Sequence, residues 1–342
     1  MKCKRAVLVA PEKIEIIEED IPALGDDQVL YKVVSGGLCH SEISTYRGIG
    51  STGVTKYPYT TFESRVVFPR GVGHEPVCIV EDVGRNVTKF QPGDWVTGHI
   101  SRAFASHLVT GTVGLVKIPP ETNRKELCLG EPLSCVVNIV RATDLKYGDS
   151  VAVIGCGVMG LLTLKALSQV CSGHIIAMDL NEERLKTAAR YGATHLINPA
   201  REDAEQVVFE LTQGRGLDAV VEISGNLRAL ETALSVIRIP ERYSAKGRGR
   251  IVVGSVYANQ ATWTPQMGYN MVLRVPELHS VHPMYSQDLE GDVRRAVEGY
   301  INGTFPMDKL ISHTFSFENI QQGFELMNSG DKSYCKGVIL FD

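Results

Sequence analysis

The 342 residues contain no Cys-x-x-Cys pair, no excess of basic charge and no apolar run near the ~18 residues that a membrane-spanning helix needs. Lysine and arginine number 35 against 39 acidic residues, a net charge of −4. A protein built mainly to grip nucleic acid or an anionic membrane needs a net basic face, so neither partner is expected. The eight cysteines are scattered at positions 3, 39, 78, 128, 135, 156, 171 and 335, which argues against a disulfide framework. The amino terminus starts with basic residues, but its apolar stretch runs only from Ala6 to Ala10, too short for a secretion-signal core. Together these absences point to the cytoplasm. Repeats and low-complexity segments are also missing.

What is present is an ordinary globular balance, with 44% hydrophobic and 22% charged residues, in a chain long enough for two domains. Up to about residue 135 the chain reads as short strands with turn punctuation: Lys4–Val9, Ile14–Glu18, Val29–Val34, Pro76–Val83 and Trp95–Thr97, the last entered through the turn Gln91–Asp94. Near residue 145 strands begin to alternate with helices. Strands are expected at Val151–Ile154, His174–Met178, Thr194–Ile197, Asp218–Glu222, Arg250–Val253 and Glu277–His282. The intervening helices are expected at Gly155–Val170, Asn181–Tyr191, Glu202–Gln213 and Leu227–Ile237. Such alternation means an α/β fold with a doubly wound parallel sheet. From 283 onward, helices Leu289–Ile301 and Phe317–Asn328 and strand Gly337–Leu340 return to the first domain. The basic loop 239–250, with Arg242, Lys246, Arg248 and Arg250, reads as a solvated loop, because only Tyr243 is available to stack on a base.

Two motif groups carry chemistry. The first is Gly155-Cys-Gly157-Val-Met-Gly160, a GxGxxG between a buried strand and a helix. Gly155 permits the tight turn, Gly157 lets backbone approach a pyrophosphate, and Gly160 lets the helix pack on the sheet. The helix N-terminus offers free N–H groups and the positive dipole end. Asp179 lies 24 residues after Gly155, at the end of the next strand, where an acid accepts from both ribose hydroxyls and repels a 2′-phosphate. Only Arg184 lies nearby as a cation, which favours NAD over NADP. A methyltransferase, or a doubly wound domain whose glycines are purely structural, would share part of this pattern.

The second group is Gly37-Leu-Cys39-His40-Ser41-Glu42, Gly73-His74-Glu75 and Gly130-Glu131-Pro132-Leu133. A thiolate, an imidazole and two carboxylates suit one open, catalytic zinc site. Taken singly, each piece has a plainer explanation. A lone cysteine is usually a small buried hydrophobe, a loop histidine is usually structural, and Glu131 could cap the helix that follows.

Taken together, GLCHSE, GHE, the PGDxV turn, Phe104-Ala-Ser-His-Leu-Val, EPLS and the nucleotide motif run in one order along nearly the whole chain. In this the chain resembles the zinc-dependent medium-chain dehydrogenase/reductase family of alcohol, sorbitol and threonine dehydrogenases. Glu131 in its EPL setting places it nearest the polyol and threonine branch. The resemblance implies a Rossmann nucleotide-binding domain (138–282) inserted in a GroES-like catalytic domain (1–137 plus 283–342). It implies NAD as cofactor, with His40, Gly155, Gly157, Val158, Met159, Gly160, Asp179, Arg184, Gly254 and Ser255 binding it. It implies one zinc held by Cys39, His74 and Glu75 or Glu131, the other glutamate holding the zinc water. Ser41, Glu75 and Glu131 are the implied catalytic residues, with Ser41 the first proton acceptor. The expected state is a homodimer or homotetramer.

Departures from the family pattern are equally informative. The lobe of four cysteines that holds a structural zinc in many relatives would fall between Val96 and Phe104, where seven residues contain no cysteine. Ser44 stands where relatives often end a proton relay with histidine, and Asn138 where polyol relatives often have one. Ile49–Arg70, with Tyr57, Tyr59, Phe62 and Arg65, reads as an insertion that shapes the substrate pocket. Ser41, Tyr46, His99 and Arg102 are further candidates to line it. The expected reaction is hydride transfer from a secondary alcohol of a polyol, sugar or cyclitol-like substrate to NAD. A threonine-type amino-alcohol dehydrogenase is the nearest alternative, and a catalytically silent NAD-binding protein the alternative of another class.

Overall fold

A computed structural model describes residues 2–49, 66–243, 246–257 and 262–342. Tyr57, Tyr59, Phe62 and Arg65 lie outside the described residues. Contacts divide the chain into two compact units, Met1–Ser134 with Asp288–Asp342, and Cys135–Gln287.

In the second unit the strand order is His195–Ile197, Ile175–Met178, Val151–Ile154, Ala219–Glu222, Arg250–Val253, Glu277–Ser280, and every neighbouring pair is parallel. This is the doubly wound order that reverses beside the first strand. Val151–Ile154, Ile175–Met178 and Ala219–Glu222 are buried at every position, as strands covered on both faces must be. Helix Glu182–Arg190 starts where expected, because the Asn181 side chain accepts from the backbone N–H groups of Glu183 and Arg184 at 2.9 and 3.3 Å. Asp203 caps helix Ala204–Leu211 in the same way. Helix Val158–Leu167 is shorter than the expected span, because residues 155–157 form the turn that feeds it.

The first unit holds the β-rich part. One sheet runs Ile311–Ser316, Lys336–Leu340, Val29–Gly37, Glu75–Val83, Trp95–Gly98, Leu115–Lys117, with His107–Thr110 also pairing with Val29–Gly37. A smaller sheet joins Lys13–Asp20, Lys2–Ala10 and Arg70–Gly71. The chain's last strand therefore pairs with its third, which fixes the return of the C-terminal segment. Several elements lie outside the expected pattern, among them the short strands Arg70–Gly71, His107–Thr110 and Leu115–Lys117. Helix Pro265–Arg274 fills a stretch where none was expected, and Ile311–Ser316 adds an edge strand. Glu131 does not cap a helix from outside; it lies in the first turn of helix Gly130–Thr143. The basic loop is partly tied down, since Arg248 donates to the carbonyls of Val275 and Pro276 and Arg250 pairs with Glu277 at 2.8 Å.

Candidate metal centre and dinucleotide loop

Strand register brings the first two metal motifs together. Val29–Gly37 and Glu75–Val83 are antiparallel neighbours with Gly37 opposite Glu75, so Cys39 and His74 leave adjacent strand ends. Gly37 is required there, because a Cβ would overlap the Glu75 carboxylate. Gly73 adopts φ +93°, a conformation glycine takes without strain, and turns its N–H onto Glu42 Oε1 at 2.8 Å.

Ligand atoms of Cys39, His74 and Glu75 all lie within 4.8 Å of one another. Among the described residues this is the only group of three or more His, Cys, Asp or Glu side chains so placed. One sulfur, one imidazole nitrogen and one carboxylate oxygen make the three-ligand set of a catalytic zinc, which leaves a coordination position open. The fit is supported by an orphaned atom. Glu75 is 1% exposed; its Oε2 pairs with Lys336 Nζ at 2.5 Å, and its Oε1 is buried with no hydrogen-bond partner. Burial works against the Lys336 charge, but the Glu75 carboxylate and the Cys39 sulfur outweigh it and hold the ammonium above the ordinary lysine range. Burial likewise opposes charge on His74, yet hydrogen bonds to Cys39 and Glu42 and the negative charge of both push it up to about 12. The centre therefore favours positive charge, which a divalent cation supplies in place of the proton.

Glu42 is a residue whose role the sequence did not disclose. Its Oε1 accepts from Gly73 N–H and lies 3.7 Å from His74 Nδ1, so its charge stands behind the imidazole, where carboxylates support metal-binding histidines. Lys336 is another, 261 positions from Glu75.

Glu131 is not part of the three-residue cluster. It is buried, with Oε1 3.8 Å from His99 Nδ1, and the His99 ring lies 5.7 Å from the His74 ring. Ser41 is exposed and its hydroxyl donates to Cys39 Sγ at 3.2 Å. His40 is exposed at the start of the same turn, its ring edge-on to Tyr334 at 5.7 Å. Tyr46 packs in the core, 5.2 Å from Phe324, with its hydroxyl accepting from Gln321 at 3.2 Å; it does not face a site. The stretch from Thr97 to Ala103 runs from the end of strand Trp95–Gly98 through a turn at Ser101–Arg102 and contains no cysteine.

In the second unit Gly155 takes φ +102°, the turn expected of it. A Cβ on Gly160 would strike the Gly155 carbonyl, so helix and loop meet only through glycine. Gly157 faces open space, where backbone N–H groups can approach a ligand. Asp179 ends strand Ile175–Met178. Its Oδ2 accepts from Cys156 N–H at 2.7 Å and its Oδ1 from Asn181 N–H at 2.8 Å. The carboxylate is thus held against the glycine loop. Arg184 stands in the first turn of the helix beyond. Gly254 packs on Ile139, and Ser255 donates to Glu222, which also accepts from Tyr257 at 2.5 Å.

Comparison with known proteins agrees with both halves. Residues 25–118 match the alcohol dehydrogenase GroES-like domain, and residues 155–267 match the family described as zinc-binding dehydrogenase. The chain is 29% identical over 362 residues to an L-threonine 3-dehydrogenase of Caldanaerobacter subterraneus, covering 96% of each. It is 28% identical over 390 residues to an S-(hydroxymethyl)glutathione dehydrogenase of Escherichia coli, covering 96% of this chain and 98% of the relative. Among solved structures, a 2R,3R-butanediol dehydrogenase from Bacillus subtilis superposes with a TM-score of 0.79 at 25% identity, covering 99% of both chains. An oxidoreductase of unknown specificity from Escherichia coli superposes with a TM-score of 0.81 at 25% identity, covering 100% of both.

Proposed function

The chain is a zinc-binding, NAD-dependent oxidoreductase of the medium-chain dehydrogenase/reductase superfamily with GroES-like and Rossmann domains, and from that premise we propose that it oxidises a secondary alcohol of a polyol, sugar or cyclitol-like substrate to the ketone. The observation that carries this reading is the Cys39–His74–Glu75 cluster with its orphaned Glu75 oxygen. In this reading Cys39, His74 and Glu75 would hold the zinc, with Glu131 either taking the place of Glu75 or serving the open coordination position. When bound, the metal supplies Lewis acidity that lowers the pKa of the substrate hydroxyl. Ser41 takes the hydroxyl proton; its exposed Oγ both accepts and donates, so it can pass the proton on. Gly155, Gly157, Val158, Met159 and Gly160 receive the pyrophosphate, Asp179 the ribose hydroxyls, and Arg184, Gly254 and Ser255 complete the dinucleotide site. The catalytic domain is assigned to 1–137 plus 283–342 and the nucleotide domain to 138–282.

Two similar proteins bear names that support a secondary alcohol: the butanediol dehydrogenase, and the L-threonine 3-dehydrogenase. The latter also supports the second reading, an amino-alcohol substrate. A screen of NAD reduction over polyols, cyclitols, amino sugars and amino alcohols separates the two. Turnover of the hydroxylated compounds supports the first reading. Turnover confined to amino alcohols replaces it with the second, and zinc-loaded protein silent across the panel defeats both.

A further inference from the structure

A pocket of about 830 Å³ opens in the first unit, walled by the N-terminal hairpin, the loop 99–102 and strand His107–Thr110. Its size falls within the roughly 300–1,000 Å³ of small-molecule sites. His99 joins it to the metal centre: the residue lines the pocket, its ring lies 5.7 Å from that of His74, and it keeps a buried Nδ1 that makes no hydrogen bond among the described residues. Ile17 and Leu108 supply apolar wall.

The two arginines that line the pocket differ. Arg5 is spent internally, pairing with Glu19 at 2.6 Å and donating to the Arg102 carbonyl at 2.9 Å. The Arg102 guanidinium, by contrast, has no carboxylate and no hydrogen bond among the described residues. Yet Arg102 is firmly placed. Its backbone sits at φ +61°, a conformation a bulky residue keeps only when its surroundings impose it. Its stem occupies the space left by Gly71, where a Cβ would overlap it. The next residue, Ala103, donates to the Gly73 carbonyl at 2.9 Å, one position before His74. Three residues span at most about 11 Å, so Arg102 stands within one small molecule's length of His99.

We propose that the substrate carries an anionic group, a carboxylate or a phosphate ester, remote from the reacting hydroxyl, and that Arg102 is the residue that selects it. A guanidinium pairs with either anion through two parallel hydrogen bonds. The anion would pair with the lining arginine whose guanidinium has no carboxylate partner among the described residues, while the body of the substrate runs past His99 toward the metal centre. This inference rests on the secondary-alcohol reading of that centre.

The test compares ribitol, ribonate and ribitol 5-phosphate by calorimetric titration of the zinc-loaded protein and by steady-state NAD reduction. At least one of the two anions should bind about ten- to a hundredfold tighter than ribitol. Arg102→Met should abolish that advantage, and Arg102→Lys should keep part of it. Unchanged zinc affinity and an unchanged denaturant midpoint in both variants show that the unit carrying Arg102 is folded. Equal binding of all three ligands to the wild-type protein overturns the inference, as does an anion preference that survives Arg102→Met. Failure of the alcohol reading looks different: anion-selective binding that follows Arg102 would persist without NAD reduction.

Discussion

Lys336 Nζ lies 2.5 Å from Glu75 Oε2, with the lysine side chain 4% and the glutamate side chain 1% exposed. The pair satisfies one carboxylate oxygen and leaves the other for the metal centre. Removing one partner of a buried pair leaves an uncompensated charge, at a cost of about 3–5 kcal/mol. Lys336→Met should therefore lower the unfolding free energy of the metal-free protein by that order in a denaturant titration. A loss below about 1 kcal/mol, the value of an exposed pair, would show that Glu75 is not held this way.

In the proposed centre Glu42 would reach the zinc only through His74. Glu42→Ala should weaken zinc binding by about ten- to a hundredfold, as loss of a carboxylate behind a metal-binding histidine does. NAD affinity should stay as it was, because the glycine loop lies in the other unit. Competition against a chromophoric chelator reads the zinc affinity directly, and an unchanged value would remove Glu42 from the account.

Asp179 should enforce the choice of NAD. Loss of a charge-assisted hydrogen bond is worth roughly 1.5–3 kcal/mol, so Asp179→Ser should weaken NAD by about ten- to a hundredfold and narrow the gap to NADP. Fluorescence titration with both dinucleotides checks this. Wild-type protein that binds NADP as well as NAD would make the ribose assignment of Asp179 wrong.

The parallel sheet was legible in the chain because its strands Val151–Ile154, Ile175–Met178 and Ala219–Glu222 are buried on both faces and read as mostly apolar runs, and because Asn181 and Gly192 mark a helix's ends. Helix Pro265–Arg274 was harder to see. Its buried positions include Asn270 and Arg274, which blur the apolar period, although Thr264 and Pro265 are a cap and a first-turn proline that could have marked it. Strand Ile311–Ser316 is an edge strand carrying Ser312, His313, Thr314 and Ser316, with too little apolar content to stand out. In the site, Cys39, His74 and Glu75 were readable because each sits in a short glycine-marked motif. Lys336 was not, since a partner 261 positions away leaves no local trace. Tyr46 shows the converse: a tyrosine two turns from a zinc ligand looked available to substrate, but tertiary packing against Phe324 claims it.

A site built to hydrogen-bond several hydroxyls rejects a molecule that lacks them, because its own polar groups are left unpaired. A multiply hydroxylated secondary alcohol should therefore be oxidised far better than an aliphatic one. The measurement is kcat/KM for pairs that differ only in hydroxyls remote from the reacting carbon. Equal values for a polyol and its deoxygenated analogue would reduce the account to a generic alcohol dehydrogenase.

The central claim is a single zinc, held at Cys39, His74 and Glu75, on which alcohol oxidation by NAD depends. Its most direct test is to strip the protein with a chelator and follow NADH formation from a substrate of the panel as zinc is returned in measured steps. Activity should be absent without zinc and rise linearly to an end point at one equivalent per chain. Full activity in the stripped protein, or an end point at two equivalents, would contradict it.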